Sequence, residues 1–186
     1  MKEISLNILD IAENSVKAGA SLTEILLTEK DRKLTLEIRD DGCGMTEEIL
    51  KGVVDPFYTT RTTRKVGMGL PLLKLAAEQT GGSLTITSVS ETVDPVNHGT
   101  DVIAEFYEDH LDFTPLGDVI SSVVTLIQGH PDTDFYFKHS TEENTVELDT
   151  RELRQVLEGV PLNSYEVIKW IEDYLKEQYS GPHEEE

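Results

Sequence analysis

Three short clusters carry side chains able to do chemistry. In Asp10-Ile-Ala-Glu13-Asn14-Ser15-Val-Lys17-Ala-Gly19-Ala20, spacings of four and three put Asp10, Asn14 and Lys17 on one face of a helix. A carboxylate, an amide oxygen and an ammonium pointing the same way can hold a water, a magnesium ion and a terminal phosphate respectively. Alone, the same trio also describes the solvated face of an ordinary amphipathic helix. The second cluster, Arg39-Asp40-Asp41-Gly42-Cys43-Gly44-Met45, ends a strand with two glycines that let the backbone turn tightly and approach a ligand. An aspartate there can accept a hydrogen bond from an exocyclic amine, though Asp-Gly turns are common. The third is Asp55-Pro56-Phe57-Tyr58-Thr59-Thr60-Arg61, followed by Gly67-Met68-Gly69-Leu70-Pro71-Leu72-Leu73-Lys74. Glycines just before a helix expose amides toward a phosphate, with the helix dipole assisting.

These clusters need elements to hold them. Ile4, Ile8, Leu9, Ile11, Ala12 and Val16 recur at helical spacing, so the first helix is expected to run to about Ala18, with Gly19 as its stop. Two β-rich runs, Leu22 to Thr28 and Lys33 to Arg39, read as a hairpin joined by Glu29, Lys30, Asp31 and Arg32. Thr46 caps a short helix, the aperiodic stretch from Val53 to Met68 is a loop, and Pro71 sits in the first turn of a helix ended by Gly81 and Gly82. Strands are expected over Ser83 to Val89 and Asp101 to Tyr107. Beyond Glu108, Pro115 opens a helix from Leu116 to Gln128, and a hairpin spans Asp134 to Leu148. Two closing helices follow, capped by Asp149 or Thr150 and by Ser164, before an acidic tail from Gly181 to Glu186.

At 186 residues the chain can bury a core unaided, and the single Cys43 cannot form an internal bridge. No apolar run approaches the roughly 20 residues of a membrane span, so a cytoplasmic protein without a membrane partner is expected. A formal charge of −20 repels a phosphate backbone and disfavours nucleic acid as a partner. An anionic ligand would need magnesium, backbone amides and local cations to overcome that field.

Taken in order and spacing, with Gly99-Thr100 after a further strand, the three clusters resemble the histidine-kinase-like ATPase superfamily, which also contains gyrase subunits, a heat-shock chaperone and the mismatch-repair clamp proteins. The resemblance covers residues 1 to about 108. Asp10 to Ala20 and Arg39 to Met45 are similar to the first box and the adenine box of the mismatch-repair branch. Asp55 to Lys74 is similar to the lid and glycine box of sensor histidine kinases.

The resemblance implies an α+β fold, a two-layer sandwich of a mixed β-sheet with helices on one face (Bergerat-type), in which ATP and Mg2+ bind between helices and lid. Residues 1–108 would form this ATP-binding domain, 109–180 a small α+β appendage and 181–186 the tail. Asp10 would be the catalytic residue, Asn14 the magnesium ligand and Lys17 a phosphate contact. Asp40 would bond the adenine amine, Gly42, Gly44 and Met45 would border the base, and Thr100 would help fix it through a water. Gly67, Met68, Gly69 and Leu70 would approach the phosphates, and Phe57, Thr59, Thr60, Arg61 and Arg64 would belong to the lid.

Two departures from the family pattern carry weight. Lys65 stands where the kinase glycine box has one more glycine, and Asp10 stands where hydrolysing relatives have glutamate. A displacement on the order of 1 Å can lower a rate about 100-fold. The implied function is signalling: phosphate transfer to a protein partner in trans, as in the anti-sigma serine kinases. The alternatives are a nucleotide-dependent clamp with slow hydrolysis and an ATP sensor without chemistry, and a homodimer is open to all three. The histidines at 98, 110, 130, 139 and 183 read as plain surface residues, and Ile168, Trp170, Ile171, Tyr174 and Leu175 as a core-facing stripe.

Overall fold

The computed structural model describes residues 3–55 and 68–181. In chain order the elements are α1 (Ile4–Lys17), β1 (Leu22–Lys30), β2 (Lys33–Asp40), α2 (Glu47–Gly52), α3 (Gly69–Gln79), β3 (Ser83–Val89), β4 (Gly99–Tyr107), α4 (Val119–Gly129), β5 (Asp134–Ser140), β6 (Thr145–Asp149), α5 (Thr150–Leu157) and α6 (Tyr165–Tyr179). The strands form one six-stranded sheet in the order β3-β4-β2-β1-β5-β6. Every neighbouring pair is antiparallel except β1 and β5, which are parallel, so the sheet is mixed as expected.

Alternation decides which face is covered. Ile25, Leu27, Leu34, Leu36, Ile38, Val102, Ala104, Phe135 and Phe137 are buried, and their strand neighbours are not. Onto that face pack α1 against β1 and β2, α3 against β3 and β4, α4 against β5 and α6 against β6. One continuous apolar cluster runs from Ile4 to Leu175. Residues 109–180 therefore extend the sheet and share the core of residues 1–108.

Four elements differ from the sequence reading, each for a local reason. Strands β1 and β2 reach Lys30 and begin at Lys33 because Asp31 and Arg32 both adopt left-handed backbone (φ 54° and 58°), making a two-residue turn without the usual glycine. Helix α4 starts after Asp118, whose carboxylate accepts from the Ser121 N–H at 3.0 Å, and not at Pro115. The Pro115 and Leu116 carbonyls instead accept from the first N–H groups of α1, at Ile4 and Ser5. Ser164 occupies the N-cap of α6, but its hydroxyl makes no capping bond. On α6, Val167, Ile171 and Leu175 face the core, while Trp170 is half exposed and stacks on Tyr174 at 4.9 Å between ring centroids. No helix among the described residues is long and apolar enough to cross a membrane.

Candidate functional site

The ladders bring four polar side chains into one row at an end of the sheet. Thr23 of β1 stands opposite Asp40 of β2, Asp40 opposite Thr100 of β4, and Thr100 opposite Ser88 of β3. Directly opposed residues point to the same face, and this one is the helix-covered face. The adjacent row, Ile25, Ile38, Val102 and Ile86, is apolar. The sheet thus ends in a single polar rung beneath the C-terminal half of α1.

Asp40 is tied from two directions. The buried Ser15 donates its hydroxyl to Oδ2 at 2.6 Å, and the Gly42 N–H donates to Oδ1 at 2.9 Å. Further along the rung, the Ser88 hydroxyl lies 2.8 Å from that of Thr100, donates to the Gly99 carbonyl at 3.0 Å and accepts from the Met45 N–H at 2.8 Å. Met45 packs against the core edge. Asp41 turns the other way and accepts from the N–H groups of Ser21 and Leu22 and from the Ser21 hydroxyl. Burial alone would raise its carboxyl, but these bonds outweigh burial and hold it below the ordinary range. Asp41 is therefore a structural staple, and Asp40 is the aspartate facing the helices.

Backbone proximity explains the glycines. A Cβ on Gly44 (φ 68°) would enter the Val89 carbonyl, and one on Gly99 (φ 143°) would enter the carbonyl of Asp40. At Gly42 a Cβ would sit 2.9 Å from that of Ala18, where Cys43 N–H donates to the Ala18 carbonyl. The loop from Ser90 to His98 closes over this turn. Glu91 N–H donates to the Cys43 carbonyl, and His98 Nδ1 bonds the Gly42 carbonyl. An open pocket of about 260 Å³ lies beside His98 at the ends of β2, β3 and β4, bordered by Arg39, Asp40, Thr87, Asn97, Thr100 and Asp101.

On α1, Asp10 and Lys17 are exposed and Asn14 half-buried. Among the described residues the Asn14 amide has no hydrogen-bond partner. Although the Asp10 residue is exposed, partial desolvation of its carboxyl raises it above its ordinary range; Lys17 opposes the shift and Glu13 adds to it. Gly69, at the start of α3, packs closely on this face, since a Cβ there would lie 3.4 Å from the Asp10 Cβ, at van der Waals contact. Two expected members of this group sit differently. Leu70 has its side chain in the core, and Met68 stands half exposed at the N-cap of α3. Phe57, Thr59, Thr60, Arg61, Arg64, Lys65 and Gly67 lie outside the described residues.

The sequence reading assigns no role to two residues of the rung, Thr23 and Ser88, or to Ser15 of α1 above it. Their roles depend on strand register and on helix placement, and only Ser15 adjoins a residue whose type suggested a role. Two of the histidines depart from expectation, while His110 is exposed as expected and His183 lies outside the described residues. His139 is buried within β5, between the Tyr179 hydroxyl at 2.8 Å and Glu29 at 3.1 Å. His130, at the end of α4, contacts both Glu13 carboxylate oxygens, at 2.9 and 3.0 Å.

Comparison with known proteins agrees with this geometry. The model of the histidine kinase-, DNA gyrase B-, and HSP90-like ATPases matches residues 2–110. Sensor protein KdpD of Clostridium acetobutylicum is 33% identical over 89 residues, covering 45% of this chain and 10% of that protein. Sporulation kinase E of Bacillus subtilis is 30% identical over 88 residues, covering 47% and 12%. The chain thus spans about a tenth of the length of these curated relatives. The Aquifex aeolicus MutL ATPase domain, solved with ADP, superposes with a TM-score of 0.53 at 15% identity over 85% of this chain and 70% of that one. That share exceeds the family-matched segment, so the likeness in fold continues into residues after 110. The match over more than half of the sequence makes the chain a member of the histidine kinase-, DNA gyrase B-, and HSP90-like ATPase family.

Proposed function

We propose that the chain binds ATP with magnesium above the polar rung and passes the terminal phosphate to a protein partner. The observation that carries this reading is the Asp40 carboxylate, aimed by Ser15 and Gly42 on the helix-covered face and flanked by Thr100. A carboxylate so held accepts a hydrogen bond from an exocyclic amine and repels a carbonyl at the same place. The remaining residues fit the ligand: among the described residues Asn14 offers an unpaired amide oxygen, Lys17 offers an exposed ammonium, and Gly69 places the start of α3 close beside Asp10. Among the described residues no three His, Cys, Asp or Glu side chains converge as a metal site. Magnesium would then rest on Asn14 and the phosphates, an arrangement this ion accepts readily, and when bound it would neutralise charge on the transferring group.

The chain's own groups divide the work. Asp40 and Thr100 orient the base, and Lys17 meets a phosphate. Asp10, whose carboxyl partial burial raises above its ordinary range, receives or positions the proton of an attacking hydroxyl or imidazole. Kinship with sensor kinases favours a protein acceptor.

A second reading, a nucleotide-dependent clamp, is favoured by the way residues after 108 grip α1. Ile4 and Ser5 donate to the Pro115 and Leu116 carbonyls, Ser122 donates to the Ser5 carbonyl at 2.8 Å, and His130 contacts Glu13. A shift of α1 on nucleotide binding would move that whole segment. Incubation with terminally labelled ATP, alone and with co-purifying proteins, separates the readings. Label on a partner is the expected outcome. Phosphate release stimulated by a partner supports the clamp, and tight binding with neither leaves a sensor without chemistry.

A further inference from the structure

Thr23 is fully buried, and its hydroxyl oxygen has no hydrogen-bond partner among the described residues. A hydroxyl enclosed in this way gives up its bonds to water and gains none, a penalty that valine, of nearly the same shape and equal liking for strands, would not carry. The neighbours of Thr23 say where the missing partner lies. Across the β1–β5 ladder stands Phe135, whose ring offers no oxygen. Across the β1–β2 ladder stands Asp40, on the same face, and Cβ atoms of such opposed pairs are about 4.5–5.5 Å apart.

Asp40 has room for a third donor. An ionised carboxylate offers about four acceptor positions, and Ser15 and Gly42 use one on each oxygen. A buried hydroxyl without an acceptor thus stands opposite a carboxylate with unused acceptor capacity.

We propose that Thr23 is a specificity-determining residue of this site. Acting through Asp40, directly or by one shared water, it completes the donor set that fixes the carboxylate toward a purine's amino group. The inference rests on the reading that Asp40 faces the base. Without the third donor the carboxylate is freer to turn, and the amine loses a positioned acceptor. A guanine, which presents a carbonyl at that position, makes no such bond and loses nothing.

The test is calorimetric titration of Mg-ATP and Mg-GTP into the intact chain and into its Thr23→Val and Thr23→Ser variants, with melting temperatures for each. Thr23→Val should bind Mg-ATP about ten-fold more weakly, with Mg-GTP affinity unchanged and the melting temperature no lower. Thr23→Ser should keep the wild-type ratio. Should the valine variant fail to fold, Thr23→Ala, which cannot overpack, supplies the same comparison. An unchanged ratio without the hydroxyl, or equal losses for both nucleotides, overturns the inference while leaving the nucleotide site standing. Wild-type protein that binds neither nucleotide overturns that reading and this one with it.

Discussion

The two halves of the sheet treat their polar groups in opposite ways. In the half built by β5, β6, α5 and α6, the polar side chains beside the strands bond one another, while the buried Ser164 hydroxyl before α6 has no partner among the described residues. Arg154 donates to Asp134 at 2.8 Å and to the Pro131 and Thr133 carbonyls, Thr150 also donates to Asp134, and Gln178 bonds both the N–H and the carbonyl of Glu147. The last pair covers the outer edge of β6, which would otherwise invite another strand. In the half built by β1 to β4 and α1, the buried Thr23 hydroxyl has no partner among the described residues and Asp40 keeps acceptor capacity. Beside β5 and β6 the closed bonding suits a scaffold, whereas the unfilled groups of the polar rung lie where a ligand can complete the set. Charge divides the same way: residues after 108 hold 18 acidic and 5 basic side chains, against 18 and 11 before that point. An anionic ligand is repelled less by the first region.

The strongest way to break this contrast is to damage each half separately. Gly44→Ala forces a Cβ into the Val89 carbonyl at left-handed φ, which should cost about 3 kcal/mol or more because backbone is displaced. Denaturant unfolding should show that loss, and Mg-ATP binding should vanish with the turn. Arg154→Ala removes one salt bridge and two carbonyl contacts in the other half, at about 1–3 kcal/mol. Its unfolding midpoint should fall while Mg-ATP affinity stays at the wild-type value. If Arg154→Ala abolished binding, the halves would not be separable.

A smaller effect sharpens the account of the uncovered face. There Asp101 is pushed up to about 6, first by burial and then by Glu37, with Arg39 opposing. A carboxyl raised on folding adds stability below its unfolded value and loses it as pH rises through the folded one. Asp101→Asn removes that dependence. The variant should gain on wild type in melting temperature at pH 8, show no gain at pH 4, and change between those limits around pH 6. A difference independent of pH would contradict the assignment.

Much of the fold was legible in sequence because it is locally encoded. The period of α1, the cap at Thr46, the alternation in β1 and β2 and the Asp-Gly turn each depend on residues close in sequence. What stayed hidden depends on pairing between distant segments. Nothing in Asp134–Ser140 announces that it lies parallel to β1, and the polar rung exists only once Thr23, Asp40, Thr100 and Ser88 are in register. Ser15 seemed incidental beside Asn14 until α1 was laid over Asp40. The start of α4 was misplaced because Pro115 suits a first helical turn as well as it suits the extended strap that bonds α1.

The most direct measurement is titration of Mg-ATP into the intact chain and its Asp40→Asn variant by calorimetry. Asparagine keeps the shape and replaces one acceptor oxygen with a donor that opposes an amine. The account predicts clear binding to wild type and a loss on the order of 1–3 kcal/mol, about 5- to 150-fold, in the variant. Equal affinity in the two proteins would contradict the claim that the polar rung holds the base.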